Sequence, residues 1–302
     1  MAEQQSLPRR RLSISDAPRI AAYSLQDPSH PEIEIAQVEH RIDLVNRWGD
    51  AIAPGSRVLE IGCGQGNATA VLAEAVGEGG SVDAVDPAPP DYGAPFTLAQ
   101  AQAHLSASPV GSRITWHRAT PAAFLLDAQN KTWDVAVLSH CIWYFASPQT
   151  LADIMSALRG RVARVCVAEY ALQATERAAQ PHVLATLTRG VLESHKADSS
   201  ENIQSPLGPG AIVEVARAAG WATQEETTTA GTIVVPRVGL LDGHWEVGTV
   251  VGEEFVEEIE EHITDDRVKL VLRSARDATI AAVRGLEGEA VRTMDVWAST
   301  FV

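Results

Sequence analysis

The chain has 302 residues, 45% of them hydrophobic, with a formal net charge of -15 and a pI near 5.0. That content suffices for one large core, and the acidic balance excludes a nucleic-acid surface, which needs clustered Lys and Arg. No run approaches the ~20 apolar residues of a membrane helix, and no secretion signal is read at the start.

Three cysteines, Cys63, Cys141 and Cys166, each lie inside an apolar segment and are odd in number. They read as buried free thiols in a reducing compartment, neither a disulfide frame nor a metal site. The expected setting is cytoplasmic, with a small-molecule partner, no membrane and no metal; the oligomeric state is left open.

In chain order, residues 1–30 are polar and Pro-containing and are expected to form a mobile tail, with residues 31–302 as a single domain. Ile33, Ile35, Val38, Ile42, Leu44 and Val45 recur at helical spacing and predict a helix from Glu32 through Trp48. Arg57 to Ile61 is a short β-branched run, as expected of a buried parallel strand. Asn67 to Val76 is an Ala/Leu-rich helix closed by Gly77, and Ser81 to Asp86 a second strand stopped by Pro87.

A helix over Phe96 to Leu105 and strands over Arg113 to His117 and Trp133 to Ser139 follow. Ser147 and Pro148 supply a helix entrance, with Ser as the expected cap. Arg164 to Tyr170 is a fifth strand. Strands and helices alternating at this rhythm imply βαβ units and a parallel sheet. Later elements are less regular: helices over Gln173 to Lys196 and Gly210 to Ala219, a strand over Trp221 to Thr227, acidic helices over Glu253 to Gly285, and a terminal strand over Arg292 to Val302.

Chemistry concentrates after the first strand. Gly62, Gly64 and Gly66 stand at alternate positions between a strand and a helix, where glycine admits positive φ and close backbone approach to a ligand. A dinucleotide fingerprint places its third glycine where Asn67 stands. Glu60, two residues before the first glycine, would repel a pyrophosphate but answer a cationic ligand end. Asp86, 20 residues beyond Gly66, can accept two ribose hydroxyls.

The segments Val58–Gly66 and Val82–Pro87 resemble the two S-adenosylmethionine (SAM) signatures of Rossmann-like (class I) methyltransferases. The wider pattern is similar to small-molecule methyltransferases of fungal secondary metabolism: His40-Arg41, then V-L-E-I-G-C-G-Q-G, Asp91-Tyr92-Gly93 and H-C-I-W-Y-F. The resemblance implies a doubly wound, mostly parallel α/β sheet of seven strands with an antiparallel last strand. It also implies an N-terminal capping helix and a C-terminal helical insertion, with lids over residues 171–209 and 239–285.

It implies SAM held by Glu60, Gly62, Cys63, Gly64, Gly66, Asp86, Pro87, Ser139 and His140. Where such proteins often set an acid against the adenine amino group, this chain has Ala119-Thr120-Pro121, so Thr120 is the expected substitute. His140 is the candidate base, with Tyr144 and Glu169 as further catalytic candidates. His40, Trp143, Tyr144 and Tyr170 are candidate substrate contacts, and for His140, Trp143 and Phe145 plain packing is the competing reading. The leading function is methyl transfer to O, N or C of a small metabolite. The alternatives are a SAM-binding lyase or pericyclase without transfer, or a regulatory binding subunit.

Overall fold

The computed structural model describes residues 11–129, 131–199, 201–224, 231–237 and 242–302. Seven strands form one sheet: β1 (Arg57–Ile61), β2 (Ser81–Asp86), β3 (Ile114–Arg118), β4 (Val135–Ser139), β5 (Arg164–Tyr170), β6 (Thr232–Val234) and β7 (Val296–Phe301). Their order is β3-β2-β1-β4-β5-β7-β6. β1 to β5 pair in parallel, and β7 runs antiparallel between β5 and β6. The expected doubly wound sheet with an antiparallel last strand is therefore observed.

The helices are α1 (Ala17–Ala21), α2 (Pro31–Trp48), α3 (Asn67–Val76), α4 (Leu98–Ser106), α5 (Pro121–Asp127), α6 (Pro148–Leu158), α7 (Gln180–Glu193), α8 (Pro209–Ala218), α9 (Asp242–Val251), α10 (Glu254–His262) and α11 (Asp266–Arg284). The pleat sends alternate strand residues into two separate cores. Val58, Val82, Val135, Cys166 and Val296 face α1, α2 and α3. Leu59, Val85, Ala136, Val165 and Trp297 face α5, α6 and α8. Burial on both faces explains why these strands read as unbroken apolar runs.

The order reverses at β1, flanked by β2 on one side and β4 on the other. In open α/β sheets such a switch opens a crevice at the carboxyl ends of the strands. The loops after β1, β2, β4 and β5 converge there.

Four expectations are corrected. The mobile tail does not extend to residue 30: Leu12, Ala17, Ile20, Ala21 and Tyr23 are buried against α2 and α3. Arg19 Nη2 donates to buried Glu74 at 3.0 Å, and Asn46 Nδ2 donates to the Leu12 carbonyl at 2.8 Å. Each apolar anchor of that size contributes roughly 1.5–3 kcal/mol on burial, enough to fix a short polar segment. The basic Arg9 and Arg10, expected as part of that solvated tail, lie outside the described residues.

The sixth strand is Thr232–Val234. From Trp221 the chain makes a single bridge, Thr223 to Phe301, with residues 225–227 outside the described set. Trp221 instead serves the core, its indole N–H donating to the Met155 carbonyl at 2.8 Å. Ser147 makes no side-chain cap: its carbonyl accepts the Thr150 N–H at 3.1 Å, and Pro148 at the first helical position has no N–H to satisfy. Finally, α9 precedes the predicted acidic helices, and α7 is shorter than Gln173 to Lys196, with a 3-10 turn at Arg177–Ala179 before it.

Candidate active site

The loop after β1 turns sharply because all three of its glycines take positive φ, at 74°, 51° and 99°. The reasons differ. A Cβ on Gly62 would stand 2.4 Å from Cys141 Cβ, so that glycine lets the loops after β1 and β4 touch. A Cβ on Gly66 would meet Leu105 and Trp116 within 3.0 Å, so that one admits α4 and β3. A Cβ on Gly64 would meet nothing within 4 Å. Gly64 is thus the glycine whose Cβ side opens onto free space.

Asp86 closes this loop from below. Its Oδ2 accepts the Gly64 N–H at 2.8 Å and its Oδ1 the Ala88 N–H at 2.9 Å. Each carboxylate oxygen keeps a second lone pair, which leaves room for ribose hydroxyls. Gln102 Nε2 donates to the Gly64 carbonyl at 3.0 Å, and Gln65 Nε2 to the Phe96 carbonyl at 2.7 Å, tying α4 to the loop. Pro87 is exposed beside Asp86.

Glu60 lies buried at the end of β1, accepting the Thr69 hydroxyl at 2.6 Å. Burial, reinforced by Asp86 and opposed by the Thr69 bond and Arg41, pushes its carboxyl up to about 8. From α2, Glu34 accepts from Asn67 Nδ2 at 3.1 Å, and burial raises its carboxyl against the pull of Arg41 and Asn67. Arg41 Nη1 donates to Gln37, while its Nε is buried without a hydrogen-bond partner among the described residues. Asn67, the residue that breaks the dinucleotide fingerprint, is therefore where the capping helix is fastened. One guanidinium among carboxyls complements a ligand end that carries both an ammonium and a carboxylate.

Across the crevice stand the ends of β4 and β5. Ser139 Oγ is buried with no partner among the described residues. His140 takes φ 54°, costly for a residue with a Cβ, and is held by its N–H to the Ala168 carbonyl at 2.9 Å. His140 Nε2 lies 2.9 Å from Nε2 of His40, which is 2% exposed on α2. Burial, then His140 and Arg41, push the His40 imidazole well below its ordinary value. The Tyr170 ring sits 4.8 Å from His140, 5.1 Å from Trp143 and 5.4 Å from His182.

The structure redistributes several expected roles. Glu169 is 1% exposed, with Oε2 accepting from the Ile142 N–H at 2.9 Å and Oε1 from the Tyr170 N–H at 3.0 Å. Sealed in this way it stands behind His140 and does not itself reach a substrate. Trp143 is buried, its indole donating to the Leu207 carbonyl at 3.0 Å, and it ties the segment after β5 to β4. Phe145 packs into the core beside α6. Tyr144 is 47% exposed. The Thr120 oxygen caps α5 by accepting the Ala123 N–H at 3.2 Å, and its O–H stays available to donate.

All three cysteines are free and buried, and burial holds the Cys63 and Cys141 thiols protonated, far above their ordinary range. Sequence reasoning missed Glu34, whose partner Asn67 is 33 positions away, and found no partner for His182. His182 Nδ1 accepts the Met294 N–H at 3.0 Å. Only the fold brings those pairs together. The ligand set fits SAM on this chain's own evidence: an orphaned hydroxyl, an orphaned guanidinium nitrogen, and a glycine cradle open on one side.

A methyltransferase-domain family model matches residues 34–219. Methyltransferase phomM' of Diaporthe leptostromiformis is 34% identical, across 80% of this chain and 71% of its own length, and phomM of the same organism is as similar. Among solved structures, a cyclopropane-fatty-acyl-phospholipid synthase-like protein from Lactobacillus casei superposes with a TM-score of 0.82. It is 29% identical and covers 96% of this chain and 100% of its own. This chain belongs to the class I, Rossmann-like SAM-dependent methyltransferases.

Proposed function

We propose that this enzyme methylates an O, N or C atom of a small metabolite of fungal secondary metabolism, in the cytoplasm. The observation that carries this reading is the His40–His140 contact at 2.9 Å beside Glu169, at the strand ends that flank the glycine loop. Glu60, Gly62, Cys63, Gly64 and Arg41 would hold the amino-acid end of SAM, with Gly66 supporting the turn. Asp86 takes the ribose, and Pro87 and Thr120 line the adenine end. Ser139 and His140 meet the sulfonium side.

When bound, SAM supplies an activated methyl group, and the protein's share is alignment and exclusion of water. Tyr170, Trp143 and Tyr144 shape the acceptor side, with His40 behind them. The segments 171–209 and 239–285, apart from residues 200 and 239–241 outside the described set, act as the lid that selects the acceptor. The Lactobacillus relative favours a second reading, an unsaturated acyl chain as acceptor. No helix of the described residues is long and apolar enough to cross a membrane.

Incubating the enzyme with methyl-labelled SAM and a cell extract separates the readings. Label in a low-mass polar or aromatic product supports the proposal, whereas label only in the lipid fraction transfers it to the acyl reading. Asp86→Ala is expected to weaken SAM binding at least about tenfold by calorimetry, losing two charge-assisted hydrogen bonds. Unchanged affinity would remove Asp86 from the cofactor site.

A further inference from the structure

His140 stands between two partners on opposite ring nitrogens. Its Nε2 contacts His40 Nε2 at 2.9 Å, and its Nδ1, buried without a hydrogen-bond partner among the described residues, faces Glu169 Oε1 at 3.7 Å. The Ile142 and Tyr170 N–H groups supply the Glu169 carboxylate with two hydrogen bonds and fix its plane. A carboxylate on that side favours the tautomer with the proton on Nδ1. The lone pair of His140 Nε2 then accepts the Nε2–H of His40, so one hydrogen is shared across the pair.

We propose that His40, His140 and Glu169 form one proton-accepting relay, and that the methyl acceptor X–H is therefore an atom that loses a proton on methylation, such as a hydroxyl, an amine or an acidic C–H, and not a tertiary amine or a thioether. This rests on the small-molecule reading above and narrows it. An electron pair of the acceptor would form the new bond to the methyl carbon, and the methyl–sulfur pair would stay on sulfur as a neutral thioether. The X–H proton passes to His40 Nδ1, the lone pair left free in the pair, while the His40 Nε2–H passes to His140 Nε2. The positive charge lost from the sulfonium thus reappears on His140, beside Glu169, and the total charge is conserved.

The positive φ of His140 belongs to this arrangement: it turns the ring from the β4 line to a place between α2 and β5. Glu169 acts through His140 and is a positioning residue, whereas His40 meets the acceptor proton. Among the described residues, Arg41 on α2 acts on His40 directly, and Glu60 at the end of β1 couples to Arg41 and to Asp86 at the end of β2. Cys141, after β4, couples to Glu169; Tyr170, ending β5, lies against His140, and His182 of α7 lies against Tyr170.

The test is histidine-labelled full-length protein followed by long-range proton–nitrogen NMR from about pH 5.5 to 9.5, saturated with S-adenosylhomocysteine as the probe. The expected wild-type spectrum shows neutral His140 protonated at Nδ1 and the pair taking up one proton, not two. Glu169→Gln is expected to weaken that uptake about tenfold, and His40→Gln to expose the His140 Nε2 signal. A bare Nδ1 in the wild type overturns the relay, and that measurement needs no variant to fold. Uptake unchanged in Glu169→Gln overturns it as well. These spectra require no acceptor, so their failure is distinct from failure of the labelling experiment. A labelled product formed without proton loss, a quaternary ammonium or a sulfonium, would overturn the acceptor class alone.

Discussion

β1, β4 and β5 place apolar side chains on both faces of the sheet, and their two carboxylates, Glu60 and Glu169, are both penultimate residues at the site end. The helical cap of α7, α9, α10 and α11 has a smaller core around Leu192, Val250, Phe255, Ile259 and Leu272. Ion pairs stitch its sides: buried Arg189 reaches Glu246 and Glu201, and Lys196 reaches Glu193 and Glu258. The sheet depends on non-directional burial, which any apolar residue of the right size satisfies. The cap depends on directional pairs whose loss strands a buried charge. A rigid site end and a separately stabilised helical group follow from that difference.

The comparison can be broken hardest from the sheet side. Gly62→Ala places a Cβ 2.4 Å from Cys141 Cβ at a φ of 74°. Neither atom is the flexible end of a side chain, so overpacking and left-handed strain act together and cost up to roughly 6 kcal/mol. Chemical denaturation of the purified variant should show that loss, with SAM binding abolished. A variant as stable as the wild type would mean that the loops after β1 and β4 are not packed as described.

The cap should fail more gently and by itself. Arg189→Met removes the guanidinium from buried Glu246 and is expected to cost about 3 kcal/mol. Hydrogen exchange should accelerate in α7 and α9 while β1, β4 and β5 keep their protection. Pairing it with Glu246→Leu should recover most of the loss, because apolar side chains of similar volume replace buried ion pairs well. Uniform loosening of sheet and cap together would show one cooperative unit in place of two.

That division also decided what could be read from the sequence. Asn67–Val76 and Ser81–Asp86 were legible to the residue, because runs bounded by Gly or Pro leave no other period, and Arg164–Tyr170 was legible from its unbroken Val-Cys-Val-Ala centre. The Gly62–Gly66 turn and Asp86 were legible because they are local in the chain. The tasks of Gly62 and Gly66 were not, since Cys141, Leu105 and Trp116 come from distant segments. Leu12 and Ile20 were missed because two anchors in a polar stretch carry no periodicity. Thr232–Val234 was missed although Thr-Ile-Val-Val before Pro236 is a β-branched run. In the cap, helix ends are set by pairs such as Arg189 with Glu246, 57 positions apart, and no local pattern encodes them.

The smallest effect tests the one place where the sheet behaves like the cap. Glu169 is supplied by two peptide N–H groups, whereas Glu60 has one hydroxyl, Thr69, and burial dominates. Its folded value of about 8 stands above the ordinary 4.5, so the folded state holds the proton more tightly. The stability this contributes is complete below about 4.5 and is lost as the pH climbs through about 8. Thermal unfolding without ligand should therefore fall with rising pH across that window, relative to a Glu60→Gln variant that cannot titrate there. Adding SAM should flatten the wild-type decline, because an ammonium beside Glu60 favours the ionised carboxylate. If wild type and variant fall in parallel, the carboxyl is already ionised at neutral pH and water reaches it. Glu60 would then share the hydration of the cap's rim, and the boundary between the two regions would lie inside the glycine loop.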